Sequence, residues 1–144
     1  MDVSSYLVYP AIFTKCNEGG YTIHIRGIDG AISEGNSFEE ALKMAHDLIL
    51  DWAYFCVQDG EIMPKASPLQ DGDVAIKLTL DEALKIVLRN IMIENKIKAI
   101  DIANKLGITA QNLNTKLNLF KSTKLDYLEQ MFNAIGKNLK ITIC

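Results

Sequence analysis

Apolar and polar positions change their period along the chain, and those changes divide it. Residues 6–14 are rich in β-branched and aromatic side chains, and Lys15-Cys16-Asn17-Glu18-Gly19-Gly20 supplies a turn. Residues 21–26 then alternate, with Tyr21, Ile23 and Ile25 on one face and Thr22, His24 and Arg26 on the other. Two such runs joined by a glycine-containing turn predict a β-hairpin. A shorter strand is predicted around Ala31-Ile32-Ser33. Ser37-Phe38-Glu39-Glu40 is a capping box, in which Ser37 and Glu40 satisfy reciprocal main-chain donors at a helix start. Phe38, Ala41, Leu42, Ala45, Leu48, Ile49, Trp52 and Phe55 then recur at the spacing of a helix lying on a sheet. Gly60, Pro64, Pro68 and Gly72 mark an irregular stretch before a fourth strand at 74–78. The first unit therefore reads β-β-β-α-β and ends near residue 79.

Beyond it the period is helical. Thr79-Leu80-Asp81-Glu82 is a second capping box, opening a helix to about residue 95. Three further helices are predicted near 98–106, 109–118 and 123–135, with a closing strand at 139–143. The fold class is α+β, in two domains of 1–79 and 80–144.

Ala103, Gly107 and Leu113 stand at the separations of a helix-turn-helix. A small residue in the first helix lets the second cross closely, Gly107 takes the left-handed conformation that ends the first helix, and Leu113 fills the angle between them. Ile102, Leu106, Ile108 and Leu117 complete the buried side, and Thr109 caps the second helix. Ala110, Gln111, Asn112, Asn114, Thr115, Lys116 and Asn118 are left facing outward. Amides and hydroxyls there suit base edges, Gln or Asn pairing with adenine above all. Lys105, Lys116, Lys121 and Lys124 flank that face and suit phosphates, which position without specifying. Lys116 departs from the usual pattern, standing where a small apolar residue is common, so its stem is expected to pack while its amine reaches water. The plainer alternative is a helical hairpin whose polar side faces solvent.

Composition narrows the classes. A hydrophobic share of 49% and a charged share of 23% are those of a soluble globular protein. No apolar run approaches the roughly 18 residues of a membrane helix, and the start Met1-Asp2-Val3-Ser4-Ser5 lacks the pattern of a signal peptide. Cys16, Cys56 and Cys144 have no paired spacing, so a reducing cytoplasm is expected and zinc or disulfide scaffolding is not. Charge is uneven: residues 1–72 carry eleven acidic against four basic side chains, and residues 73–144 seven against eleven. Balances of −7 and +4 suggest two units with oppositely charged partners.

No catalytic constellation assembles. His24 reads as a strand residue and His46 as a helix-surface residue, neither in metal-ligand spacing. Cys56 and Trp52 read as core, and the glycines match no phosphate loop. The chain is expected not to be an enzyme and to need no metal or cofactor.

Several motifs occur in a fixed order: Tyr9-Pro10; Glu18-Gly19-Gly20-Tyr21; the block Ser33-Glu34-Gly35-Asn36-Ser37-Phe38-Glu39-Glu40-Ala41; Asp59-Gly60-Glu61-Ile62-Met63-Pro64 with Ser67-Pro68-Leu69; Asn118-Leu119; Thr123-Lys124-Leu125-Asp126; and Ala134-Ile135-Gly136-Lys137-Asn138-Leu139. Through these, from about residue 6 to 143, the chain resembles the HicB antitoxins, in the subgroup that ends in a helix-turn-helix. It departs where the family often has Phe-Pro-Asp-x-Pro-Gly-Cys and this chain has Ile25-Arg26-Gly27-Ile28-Asp29-Gly30-Ala31. The resemblance implies a partial ribonuclease-H-like first unit without catalytic carboxylates and a lambda-repressor-like second unit. It implies two partners. One is HicA, a small basic mRNA-cleaving toxin whose active-site histidine the antitoxin covers. The other is double-stranded operator DNA, bound by Thr109, Ala110, Gln111, Asn112, Asn114, Thr115, Lys116, Asn118 and Lys121. For the toxin, the exposed acids Glu34, Asp47 and Asp51 are the candidates, since opposite potentials speed encounter. The strand at 139–143 is expected to pair with its twin in a dimer, with a tetramer open. A ligand-sensing repressor is the alternative; it requires a concave polar pocket in the first unit. A ribonuclease-H nuclease requires clustered acids, and the hairpin strands contain none.

Overall fold

The computed structural model describes residues 1–144. A 3-10 turn, Val3–Tyr6, opens the chain because the Asp2 carboxylate accepts from Ser4 N at 2.9 Å, so the first strand begins two residues later than predicted. Strands β1 (Val8–Lys15), β2 (Tyr21–Ile25) and β3 (Ile32–Gly35) precede helix α1 (Phe38–Asp59), and β4 (Val74–Lys77) follows it. The sheet is antiparallel throughout, in the order β3-β2-β1-β4. Side chains alternate across it. Tyr9, Ala11, Ile23, Ile25 and Ile76 are buried. Ile12, His24 and Ile32 lie opposite one another in register on the other face.

Helix α1 begins where the capping box is predicted, but only one of the two bonds forms: Glu40 N donates to Ser37 Oγ at 3.1 Å, while the Glu40 carboxylate accepts from Asn36 N at 3.1 Å instead of from Ser37 N. Its buried side is Ala41, Ala45, Ile49, Leu50, Ala53 and Cys56. That stripe is narrower than predicted, because Phe38 and Phe55 stand 46% and 59% exposed. Near its start α1 also approaches the sheet closely: a Cβ on Gly35 would lie 2.7 Å from the main chain of Ala41, so only small side chains fit between α1 and β3 there. Phe38 packs instead edge-on against Phe13 and Tyr21. Burial pushes the Cys56 thiol pKa up, as suits a core residue.

The stretch after α1 is tied down by side chains. Tyr9 donates its hydroxyl proton to Pro64 O at 2.8 Å, and burial pushes its pKa well above that of an ordinary tyrosine. Arg26 meets both oxygens of Asp73 at 2.7 Å, fixing the start of β4 to the end of β2.

Four helices complete the chain: α2 (Leu80–Glu94), α3 (Ala99–Leu106), α4 (Ala110–Leu117) and α5 (Leu125–Ala134). The capping box of α2 is closed in both directions, Glu82 N to Thr79 Oγ1 at 3.1 Å and Thr79 N to the Glu82 carboxylate at 2.8 Å. Helix α2 is buried on almost every side, Lys85 and Asn90 included. It lies within one continuous core of 31 buried residues that runs from Tyr6 to Phe132. His46, read as a surface residue, reaches across from α1 and places Nε2 2.9 Å from the Glu82 carboxylate.

The strand predicted at 139–143 is not formed within the single chain. Residues 137–144 carry no regular secondary structure, and Ile141 and Ile143 are 57% and 93% exposed. A strand is held by ladder hydrogen bonds to a neighbour, and no strand of this chain pairs with the tail. No helix is long and apolar enough to cross a membrane.

Candidate functional site

Helices α3 and α4 meet at a turn built as their sequence requires. Ala103 is fully buried, which lets α4 cross close to α3. Gly107 has φ +68°, a conformation costly for any residue with a Cβ. Its N–H bonds Asn104 O, and Ile108 N bonds Ala103 O at 3.0 Å, which satisfies the last carbonyls of α3. Thr109 then caps α4 by accepting from Asn112 N at 3.0 Å. Leu113 and Leu117 are buried beneath.

The outward face of α4 separates into free and committed side chains. The side chains of Gln111 and Asn114 are exposed and bond nothing within the chain, so their amides are available to a partner. Thr115 is exposed too, but its hydroxyl donates back to Gln111 O at 3.1 Å. Asn112 accepts from Lys116 Nζ at 3.0 Å, and its NH2 is free. Lys116 is half-buried with its ammonium 4.0 Å from the centroid of the Tyr127 ring, a cation–π contact. Ala110 is half-buried. Asn118 ends α4, and its Oδ1 accepts from Phe120 N at 2.9 Å. Lys121 and Lys124 are exposed beside it, while Lys105 reaches Ala134 O at 3.0 Å.

The acidic candidates do not converge. Asp47 and Asp51 lie four residues apart along the exposed side of α1. Glu34 pairs in register with Thr22 on β2, and its strand neighbour Gly35 abuts α1, so Glu34 points from the opposite face of the sheet. One turn beyond Asp51, Tyr54 and Phe55 are 43% and 59% exposed, and Tyr54 touches Phe120, itself 53% exposed. The apolar spacing of α1 predicts Phe55 to be in the core, so this aromatic ridge is not legible in the sequence. Nor is Lys85, whose only signal is a lone charge within the run Ala83-Leu84-Lys85-Ile86-Val87-Leu88.

No group of three or more His, Cys, Asp or Glu side chains is arranged to hold a metal. A groove of about 840 Å³ runs between the N-terminal residues, α2, Phe132 and the C-terminal tail.

The architecture and the surfaces are those of a small α+β protein with two contrasting faces, one acidic and aromatic, one rich in amides and lysines. The family model for the "HicB_like antitoxin of bacterial toxin-antitoxin system" matches residues 8–87. Antitoxin HicB of Escherichia coli (strain K12) is 31% identical over 135 residues, covering 94% of this chain and 98% of that protein. Antitoxin HicB 1 of Photorhabdus laumondii is also 31% identical over 135 residues, with 94% and 86% covered. Antitoxin HicB of Pseudomonas fluorescens is 22% identical over 110 residues. The chain belongs to the HicB-like antitoxin family of bacterial toxin-antitoxin systems.

Proposed function

We propose that this protein binds and inhibits a HicA-like, mRNA-cleaving toxin through residues 1–79 and represses its own operon through residues 80–144. On this reading the sheet with α1 is a partial ribonuclease-H-like fold, and α3–α4 is a helix-turn-helix of the lambda-repressor kind. The observation that carries the DNA half is the pair of unengaged amides, Gln111 and Asn114, on a helix whose other face is wholly buried. A helix in the major groove reads bases with such groups. Asn112 and Thr115 assist them, Thr109 and Ala110 approach the backbone, and Lys116, Asn118 and Lys121 border the phosphates.

The toxin half is supported by the family and by the ridge of Asp47, Asp51, Tyr54 and Phe55. Aromatic anchors rimmed by charge are the usual composition of a binding hot spot. Self-association is supported by the tail, where Ile141 and Ile143 are exposed beside a groove; residues 139–143 pair with the same segment of a second copy.

Gln111→Ala with Asn114→Ala tests the division of labour. The double variant is expected to lose specific binding to the DNA upstream of its gene and to keep neutralising the toxin. Loss of both activities together, or of neither, overturns it.

A further inference from the structure

Lys85 sits in the middle of α2 with 0% of its side chain exposed. Its ammonium donates to Asn118 O at 2.8 Å and to Lys121 O, and lies 3.2 Å from the Asp81 carboxylate. Three acceptors match its three protons. Burying a lone ammonium is costly, and only such complete pairing offsets it.

The two carbonyl acceptors share one location. Asn118 ends α4 and Lys121 lies in the loop that follows, so the carbonyls held by Lys85 come from the C-terminal end of α4. The last carbonyls of a helix have no partner within it, and a cation there also meets the negative end of the helix dipole. Thr123 links the same end to α2 once more. Thr123 Oγ1 donates to Lys116 O at 2.7 Å, and Thr123 N donates to Asp81 Oδ1 at 3.3 Å. Helix α4 has only eight residues. Its start is set by the turn at Gly107 and its finish by α2, and the two anchors together define its tilt.

We propose that Lys85 is a positioning residue for operator recognition: by pinning the end of α4 to α2 it sets the angle at which Gln111 and Asn114 meet base edges. This rests on the DNA-binding reading above. Lys85 is too deeply buried to touch a phosphate, which separates its role from that of Lys121 and Lys124.

The full-length protein is titrated, at several salt concentrations, with a duplex from upstream of its gene and with a scrambled duplex of equal length. Lys85→Met is expected to weaken binding to the upstream duplex by about 10-fold or more, the discrimination carried by a good base contact. Binding to the scrambled duplex and the slope of log affinity against log salt should be unchanged, because no phosphate contact is lost. Lys85→Arg, which keeps the charge and the donors, should recover part of the loss. Should Lys85→Met fail to fold, Thr123→Val loosens the same helix end without stranding a charge and should shift the ratio in the same direction. Wild-type discrimination in both Lys85→Met and Thr123→Val overturns the inference, as does a parallel fall on both duplexes or a salt slope reduced by about one. A wild-type protein that does not distinguish the two duplexes overturns the DNA-binding reading itself, and the inference with it.

Discussion

Asn90 on α2 closes both main-chain groups of Met63: its Oδ1 accepts from Met63 N at 2.8 Å and its Nδ2 donates to Met63 O at 3.0 Å. The same Nδ2 lies 3.3 Å from the Tyr6 hydroxyl. One buried amide thus joins the helix at the centre of the core to the irregular segment after α1 and to the first turn of the chain. Asn90→Leu keeps the volume but leaves a buried N–H and a buried C=O unpaired. A loss on the order of 3 kcal/mol is expected, read as a lower urea midpoint of the full chain. An unchanged midpoint would mean that the segment near Met63 finds other partners.

The approach of α1 to β3 sets a second expectation. Gly35→Ala places a methyl 2.7 Å from Ala41 N and Cα. Main-chain atoms of a packed helix cannot step aside, so a cost of about 1–3 kcal/mol is expected. Adding Ala41→Gly should restore little of it, because the closest clash is with the main chain at 2.7 Å and the Ala41 methyl stands farther off, at 3.1 Å. Thermal unfolding of the single and double variants checks this, and a rescued double variant contradicts it.

Arg26 and Asp73 give the fold an acid-side dependence. The Arg26 hydrogen bond, then that from Gln70 N, holds the Asp73 carboxyl below its ordinary value of 3.8. A group whose pKa is depressed in the folded state stabilises above the unfolded value and loses that contribution as pH falls through the folded one. The stability difference between the native chain and Asp73→Asn should therefore be constant above about pH 5 and shrink below 3.8. Unfolding midpoints measured across pH 2.5–7 test the sign. A difference that grows toward acid contradicts it.

Phe55 is exposed enough to be changed without touching the core. Phe55→Ser is expected to leave the melting temperature within about a degree, as surface substitutions do. It should weaken the toxin complex by about 10-fold or more if the ridge is the anchor. Calorimetric titration with purified toxin decides. Unaltered affinity would move the toxin surface elsewhere, the outer sheet face bearing Glu34 being the next to probe.

Much of this architecture is legible in the sequence, for physical reasons that differ by element. The alternation of Tyr21–Ile25 is legible because one face of β2 is buried, and the starts of α1 and α2 because capping bonds are local. Ala103, Gly107 and Leu113 were legible because a tight crossing of helices tolerates few residue types. Lys85 and Asn90 were not, since their partners are main-chain groups 27 to 36 positions away in sequence. The buried stripe of α1 is narrower than its apolar spacing predicts: spacing shows which residues share a face, not how close β3 comes at Gly35, where only a side chain as small as Ala41 fits. The strand at 139–143 is not formed within the chain, because β-propensity alone supplies no neighbour for a ladder.

The most direct test of the antitoxin role is co-expression with the small open reading frame adjacent to its gene, followed by pull-down on a tag at the N-terminus. The account predicts that the neighbour alone arrests growth, that this chain restores it, and that the two are recovered as a stable complex. A neighbour that is harmless and does not bind would contradict it.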